Sequence, residues 1–596
     1  MTATVMHVPV AVGDAVAAGN TLAIVDVMKM EHTIISEVDG VVSDIDIEPG
    51  QVVEVGDQLI VIDTSTKVSV PVNAVRTSDE TLGSTSGTNP LFEQLKQVDA
   101  LRTDAARPDA VAKRRSRGQQ TARENISQLC DVDSFLEYGG LAVAAQRGQR
   151  DLDDLRSKTS ADGIITGVGK VDGVAVAMLA VDATVIAGTQ GYWHHHKIDR
   201  LLEIAKRDDL PVVFFPEGGG GRPYDPDAGN IMTAGLQITS FARLAALSGQ
   251  VPVVAVVSGR CFAGSAAFAG VADVIIATEN ANLGMAGPAM IEGGGLGAFT
   301  PEQIGPMDVQ ARNGVVDLIV ADDFEAVAAA KQYLGYFTGT IVAGEIDNQE
   351  LLRDVLPHNR RQTYSMVPII EALSDGSSWF ELRPDFGPAI HTGLAQIGGR
   401  TVGIAASNPQ HQAGAIGPDE ADKAARFFQL CDAHGVPLVS LCDCPGFMVG
   451  PDVEERANVR HVSRLFLAGA HLTVPIVGVI VRKAYGLGAM AMLGGNLHVP
   501  VATVAWPTGE IGGMGFEGAV ALGMKNELAA IDDESDRRQA FDTAVARMYE
   551  RGSALTSAAH LEFDAVIDPA ATRTWIMQSL SAAEPIARGA RYIDAW

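Results

Sequence analysis

The chain has 596 residues, 47% apolar and 20% charged, enough to bury several cores, and its length suggests about three or four domains. Its formal net charge of −28 argues against nucleic acid or an anionic membrane as partner, because both are met by basic surface. The longest apolar runs, such as Val474 to Val481, are too short to cross a bilayer, and no signal peptide is evident, so a cytoplasmic location is expected. Cys130, Cys261, Cys431, Cys442 and Cys444 are too scattered for a disulfide scaffold and lack zinc-ribbon spacing, so they read as small buried apolar residues.

From the N-terminus, Thr21 to Asp26 and Thr33 to Ile35 have strand character, which puts Met28-Lys29 at a hairpin tip. A two-residue hairpin favours Asn-Gly or Asp-Gly, so Met-Lys breaks a local rule, as functional positions do. The stretch Val12 to Asp26 recurs as Pro49 to Asp63, with Gly13 and Gly50, Gly19 and Gly56, and Leu22 and Leu59 each 37 residues apart. Two such halves imply a small pseudo-symmetric β-sandwich with glycine corners. This tandem pattern around Val27-Met28-Lys29-Met30 resembles the biotinyl (biotin carboxyl carrier) domain over residues 1–67. The resemblance implies biotin on Lys29, attached by a biotin protein ligase. Residues 68–90, with Ser78-Asp79-Glu80 and Gly83-Ser84-Thr85-Ser86-Gly87, read as a tether. A flexible coil of about 25 residues spans roughly 25–30 Å.

The remaining chain alternates β-rich runs with helical patterns, the signature of α/β architecture. It holds a second duplication. Lys197 and Pro211 recur as Lys423 and Pro437, both 226 residues on, and Val251-Pro252 recurs as Val474-Pro475, 223 residues on. Glycine-rich turns follow two strands: Gly218 to Arg222 after Phe215, and Arg482 to Ala489 after Ile480. Such turns leave backbone N–H groups free to donate to an anionic oxygen, and the duplication suggests that the two are in register. No Gly-Lys-Ser/Thr completes a phosphate loop. His194-His195-His196 precedes a helical pattern without a second ligand cluster, so no metal is expected.

Several blocks in order resemble the acyl-CoA carboxylase carboxyltransferase (β) subunit: Gly118 to Gly139, Asp162 to Gly167, Asp443 to Phe447, Arg482 to Gly486, Ala505 to Thr508 and Val566 to Pro569. The resemblance implies a multi-domain chain, a small all-β biotinyl sandwich followed by two α/β crotonase-like halves at 91–340 and 341–596. It places the hole for the acyl-CoA enolate at the N–H groups of Gly220 and Gly221. It places the hole for the biotin ureido oxygen at Gly488 and Ala489, with Leu487 inserted relative to the family. Acyl selectivity falls on Met490 and Ala491.

The activity implied is transfer of a carboxyl group from carboxybiotin to the α carbon of an acyl-CoA. A separate biotin carboxylase subunit would use ATP and bicarbonate, and the transferase would assemble as a homo-hexamer. A biotin-dependent decarboxylase or transcarboxylase would use the same halves. A crotonase-like hydratase, or a scaffold with an appended carrier, is the reading of another class, with Glu217 as the hydratase nominee. For the CoA phosphates, Arg222 and Lys197 stand among several basic residues.

Overall fold

The computed structural model describes residues 2–27, 30–65, 89–222, 225–229, 235–342, 344–583 and 591–596. The chain divides into two compact units, Met1–Asn89 and Pro90–Trp596. Met28, Lys29 and nearly all of the expected tether lie outside the described residues.

The first unit is all β. Its strands are Thr2–His7 (β1), Ala15–Val16 (β2), Thr21–Val27 (β3), Met30–Ile35 (β4), Gly40–Ile45 (β5), Val52–Glu54 (β6) and Ile60–Asp63 (β7). They form two sheets, β4-β3-β1-β6 and β2-β5-β7, so β1 pairs with β3 and β6 while its counterpart in the repeat, β5, pairs with β7 and β2. The corners repeat as well: Gly13, Gly19, Gly50 and Gly56 have φ of +98°, +96°, +91° and +107°, values a side chain resists. Val5, Ala23, Val25, Ile47 and Val53 form the larger of two small cores. Strand β3 pairs antiparallel with β4, and Val27 stands opposite Met30 on either side of the Met28-Lys29 pair.

The second unit holds two large sheets. The first half supplies Leu136–Tyr138 (β8), Ile164–Val171 (β9), Val174–Val181 (β10), Val212–Phe215 (β11), Val253–Val257 (β12), Arg260–Phe262 (β13), Val274–Thr278 (β14), Asn282–Gly284 (β15) and Leu318–Val320 (β16), with helices Tyr192–Arg207 (α1), Gly264–Gly270 (α2) and Asp323–Thr338 (α3). Seven of the strands form one sheet in the order β16-β14-β12-β11-β10-β9-β8, with β13 paired to β15 beside it. The second half supplies Phe380–Leu382 (β17), Ile390–Ile397 (β18), Arg400–Ser407 (β19), Leu438–Cys444 (β20), Ile476–Tyr485 (β21), Ala502–Ala505 (β22), Glu510–Gly512 (β23) and Ala565–Val566 (β24), with helices Pro418–Ala433 (α4) and Gly486–Met492 (α5). Its sheet runs β17-β18-β19-β20-β21-β22-β24, with β23 paired to β21.

Each half opens with an antiparallel hairpin, β9-β10 or β18-β19, and continues with parallel strands. The duplication reaches the backbone dihedrals. Ile186 and Ala187 have φ of +45° and +51°, and Gln412 and Ala413, 226 positions later, have +45° and +54°. A β-branched residue at positive φ is a genuine outlier, and strain of this kind collects at functional sites.

Alternation along the strands sorts side chains between cores. On β10, Met178 and Ala180 face one core while Ala177, Leu179 and Val181 face another. The first of these cores is common to both halves: Tyr333 of α3, Phe427 and Phe428 of α4, and Leu394 of β18 all belong to it. The second half covers its other face with Val402, Ile404, Val477, Val479 and Trp506. The five cysteines are free and buried, as expected.

Polar groups stitch the halves together inside this layer. Arg383 donates through Nε to Asp317 at 2.8 Å and through its N–H to the Asp317 carbonyl at 2.7 Å. Arg426 donates to the Asp273 carbonyl at 2.7 Å, and His434 Nε2 lies 3.0 Å from the Asp273 carboxylate. Arg383 and Asp317 have side chains 5% and 2% exposed, and removing one member of a buried pair strands the other charge. Arg383→Met is expected to cost about 3–5 kcal/mol of stability, read by chemical denaturation.

Candidate functional site

In each half the features of interest lie where two neighbouring parallel strands end. After β11 the chain is pinned at both sides. Gly218 donates to the Arg260 carbonyl at 2.7 Å and accepts from Phe262 N–H at 2.9 Å; Gly220 accepts from Gln190 N–H at 2.9 Å, and Arg222 N–H donates to the Gln190 carbonyl at 2.7 Å. Between the pins, the N–H groups of Gly219, Gly220 and Gly221 have no partner among the described residues. The second arm comes from the neighbouring strands: Ala263, at φ +52°, caps α2, whose first-turn N–H groups lack intrahelical acceptors. The arms touch. A Cβ on Gly220, itself at φ +87°, would lie 2.7 Å from Ala263 Cβ and 2.9 Å from Gly264 N.

The second half repeats this construction. Ile416 N–H donates to Gly446 and Met448 N–H to Ile416, at 3.1 and 2.8 Å, as Gln190 and Arg222 do 226 positions earlier. Gly446 and Gly486 have φ of +125° and +57°, and a Cβ on Gly488 would lie 2.6 Å from the Gly446 carbonyl carbon.

The glycine turns after Phe215 and after Ile480 are therefore not in register with each other. Turn 218–222 corresponds to Cys444–Met448 at the end of β20 and beyond it, and 482–489 corresponds to 259–266. The strand ladder fixes this, because Lys483, Ala484 and Tyr485 pair with Glu510, Ile511 and Gly512 as Arg260, Cys261 and Phe262 pair with Asn282, Leu283 and Gly284. The segment between the two strands is three residues shorter in the second half, hence offsets of 226 and 223. The two turns are opposite arms of equivalent clefts, and Leu487 is no insertion relative to the first half, since it takes the place of Gly264.

Gly220 and Gly221 sit on the first arm of the first cleft. Gly488 is in the first turn of α5, which Tyr485 caps; Ala489 follows, at the position where intrahelical bonding begins. The partner arms, Gly446 in one half and Ala263 to Ser265 in the other, were missed by the sequence reading. The signal was present, because adding 226 to Gly220 gives Gly446 and subtracting 223 from Gly488 gives Ser265. Met490 lines a cavity of about 530 Å³ together with Gly486, Leu497, Ile511, Phe516 and Met548, whereas Ala491 is fully buried in the shared core.

Residues 113–593 match the carboxyl transferase domain family, and residues 1–62 match the family of biotin-requiring enzymes. The chain belongs to the carboxyl transferase family. It is a carboxyltransferase with a fused biotin carrier. It is similar to the biotin-dependent long-chain acyl-coenzyme A carboxylase beta4 subunit of Mycobacterium tuberculosis, 31% identical over 82% of this chain and 93% of that one. It is also similar to the methylmalonyl-CoA carboxyltransferase 12S subunit of Propionibacterium freudenreichii subsp. shermanii, 31% identical over 79% of this chain and 90% of that one. Among solved structures it resembles a single-chain, multi-domain long-chain acyl-CoA carboxylase, with TM-score 0.78 and 46% identity over 97% of this chain. The chain spans 55% of the length of that protein. It also resembles a transcarboxylase 12S crystal structure described as a hexamer, with TM-score 0.74 and 29% identity over 85% of this chain and 97% of that one.

Neither basic residue named for the CoA phosphates is free to serve in this carboxyltransferase. Arg222, its side chain 4% exposed, pairs with Asp162 at 2.8 Å and Asp225 at 3.0 Å. Lys197 donates to the carbonyls of Ala161 and Ile164, and burial pushes its ammonium down to about 8. Lys423, its counterpart, donates to the Ile390 carbonyl at 2.7 Å and is likewise pushed down by burial to about 8. Glu217 is paired with Arg114 at 2.8 Å. His194 and His195 lie buried against Asp162 and Ser240, and burial pushes the imidazole of His195 down to about 4.

Gly220→Ala is expected to force the arms of the first cleft apart and lower carboxyltransferase kcat by about 10²–10³-fold. Gly219→Ala, where a Cβ meets nothing within 4 Å, is expected to keep most of it. Steady-state assay of both variants checks the contrast.

Proposed function

We propose that this carboxyltransferase delivers a carboxyl group to the α carbon of an acyl-CoA, the carboxyl having been brought by biotin on Lys29. In this reading the first-half cleft, at Gly220 and Gly221, holds the enolate oxygen of the acyl-CoA. The second-half cleft, at Leu487 and Gly488 with Gly446 opposite, holds the ureido oxygen of biotin; Ala489, expected there from the sequence, spends its N–H inside the helix that Tyr485 caps. The observation that carries it is the occurrence of one cleft twice, each built from main chain whose arms pack too closely for a Cβ at Gly220 or Gly488. Lys29 fits its assignment in that the strand pair around it ends with Val27 opposite Met30, and Met30 is 63% exposed.

When bound, biotin supplies the activated carboxyl group. The residues of the chain supply fixed dipoles. An enolate concentrates negative charge on one oxygen, and each preorganised donor there contributes about 2.7–4 kcal/mol to the transition state. Glycine at 219–221 lets the backbone come within hydrogen-bond range. Glu217, the side-chain acid a hydratase would need, is held by Arg114, so Glu217→Gln is expected to lower the unfolding temperature while kcat stays within several-fold of wild type. A loss of kcat by a hundredfold or more in folded protein would favour the hydratase reading.

The acyl group enters the cavity beside Met490. Met490, Leu497, Ile511, Phe516 and Met548 give it one apolar side, with Arg551, His560 and Glu562 on the remaining wall, and its volume suits a chain longer than two or three carbons, in keeping with the long-chain relatives. Met490→Trp is expected to shift kcat/KM towards shorter acyl-CoAs across a chain-length series.

The direction of transfer rests on what reloads the carrier. A separate biotin carboxylase using ATP and bicarbonate makes the complex a carboxylase; the similarity to a 12S carboxyltransferase subunit keeps transcarboxylation as the second reading. In this proposal residues 1–67 are the carrier, 68–90 the tether, and 91–340 and 341–596 the two transferase halves. The transferase is a homo-hexamer, as described for the 12S structure. It works in the cytoplasm, and biotin protein ligase modifies it there; among the described residues no helix is long and apolar enough to cross a membrane. Mass spectrometry of protein from its source cell is expected to find a biotin increment on Lys29, with an ATP-binding subunit co-purifying. Lys29→Arg is expected to abolish carboxylation of acyl-CoA, and turnover by that variant would overturn the proposal.

A further inference from the structure

Asp443 is fully buried beside the second cleft, at the one place where the ladder between β20 and β21 slips. Cys442 pairs with Ile480, but the next partners are Cys444 and Ala484, so Val481, Arg482 and Lys483 face a single residue. A bulge of this kind leaves ladder groups unpaired and re-aims the strand beyond it. Here one carboxylate takes up an orphaned ladder N–H together with side-chain donors. Asp443 Oδ1 accepts from Lys483 N–H at 3.1 Å and lies 3.4 Å from Lys483 Nζ. Oδ2 accepts from Arg482 Nε at 3.1 Å and from the Tyr364 hydroxyl at 2.9 Å. Arg482 also donates to the Gln362 carbonyl at 2.9 Å, and its guanidinium sits 4.7 Å from the Tyr364 ring centroid. Burial, with the Asp443 carboxylate next, pushes the Tyr364 phenol well up, so it remains a donor.

The hub lies immediately behind both arms of the cleft. Three residues past Asp443 is Gly446, and three past Lys483 is Gly486, which opens α5. Gly446 and Gly488 are packed with no room for a methyl between them, so the separation of the two arms is set by how the strands carrying them are tied.

The first half is tied differently. Its equivalent of Asp443 is Glu217, and its equivalent of Arg482 is Gly259, whose missing side chain leaves the space the Glu217 carboxylate fills: a Cβ there would lie 2.3 Å from Glu217 Oε1. That carboxylate is met instead by Arg114, from a helix outside the sheet. The two clefts are alike in backbone, and of these two carboxylates only Asp443 bonds residues of the neighbouring strand, Arg482 and Lys483.

We infer that Asp443, with Arg482 and Tyr364, is a positioning device for the second cleft alone, setting the spacing of its arms, and with it the affinity for the ureido ring, independently of the acyl-CoA cleft. This rests on the assignment of the two clefts made above.

The test uses the full chain carrying Lys29→Arg, so that its own carrier does not compete. Calorimetry measures the dissociation constants of biocytin and of acetyl-CoA, whose two-carbon acyl group does not fill the Met490 cavity of the second half, and the same full chain is assayed for biocytin-dependent decarboxylation of a carboxylated acyl-CoA. Asp443→Asn is expected to weaken biocytin binding at least tenfold and raise the biocytin KM in step, with the acetyl-CoA dissociation constant unchanged within twofold. Tyr364→Phe, which keeps the ring under Arg482 and removes one donor, is expected to fall between wild type and Asp443→Asn; it carries the test if Asp443→Asn does not fold. Equal weakening of both ligands, or no effect on either, overturns the inference. Wild-type cleft residues that bind no biocytin at all would instead overturn the assignment of the clefts.

Discussion

The structure depends on an apolar layer that belongs to neither half of the transferase. Two sheets face it from opposite sides, and the long helices α3 and α4 lie within it, so burial, the largest favourable term in folding, is gained only when both halves are present. The Asp317–Arg383 and Asp273–His434 contacts cross this layer and give it register. Apolar packing alone tolerates sliding, whereas buried charge pairs do not, since displacing either member leaves a charge without water or partner.

From that frame the clefts follow. Parallel strands that end side by side leave their last residues to be closed by loops, and in both halves the arms meet at a glycine, Gly220 or Gly488, with no room for a Cβ. The crowding is what makes the N–H groups available: a loop pinned by Gln190 or Ile416 on one side and by the adjoining strand on the other presents the amides between the pins outward. Positive φ at Ile186, Ala187, Ala263, Gln412 and Ala413 shows that the surrounding packing overrides local preference at these turns. Dipoles held this way need no reorganisation when negative charge develops near them.

Much of this was legible in the chain itself. The 37-residue repeat, through its glycines, gave the carrier sandwich, and the 226-residue repeat gave two related halves. The cleft residues were half legible. Gly220, Gly221 and Gly488 could be named from the resemblance to the carboxyltransferase family, but the partner arms could not be matched by reading one strand's turn against another's, because the ladder register that pairs Lys483 with Glu510 is a tertiary fact. The roles of Arg222 and Lys197 were illegible for a similar reason. Sequence shows a cation and hides the buried carboxylate or carbonyls that engage it, and a basic residue reads as available until its neighbours are known. Ala491 followed Met490 in the expectation of selectivity, yet one helical step turns it from the cavity wall into the core.

The shared apolar layer has a bearing on why both halves occur in one chain. A lone half would leave the inner face of its sheet uncovered, with Leu394 and Phe428, or Met178 and Tyr333, turned to solvent, and a patch of that size on a free-standing protein invites association. Its nearest complement is a second copy of the same fold related by a twofold axis, the commonest symmetry of protein pairs. The two transferase halves therefore cover each other within one chain as two copies of one fold would in a homodimer. Because they share one chain, each cleft is free to have its own ligand.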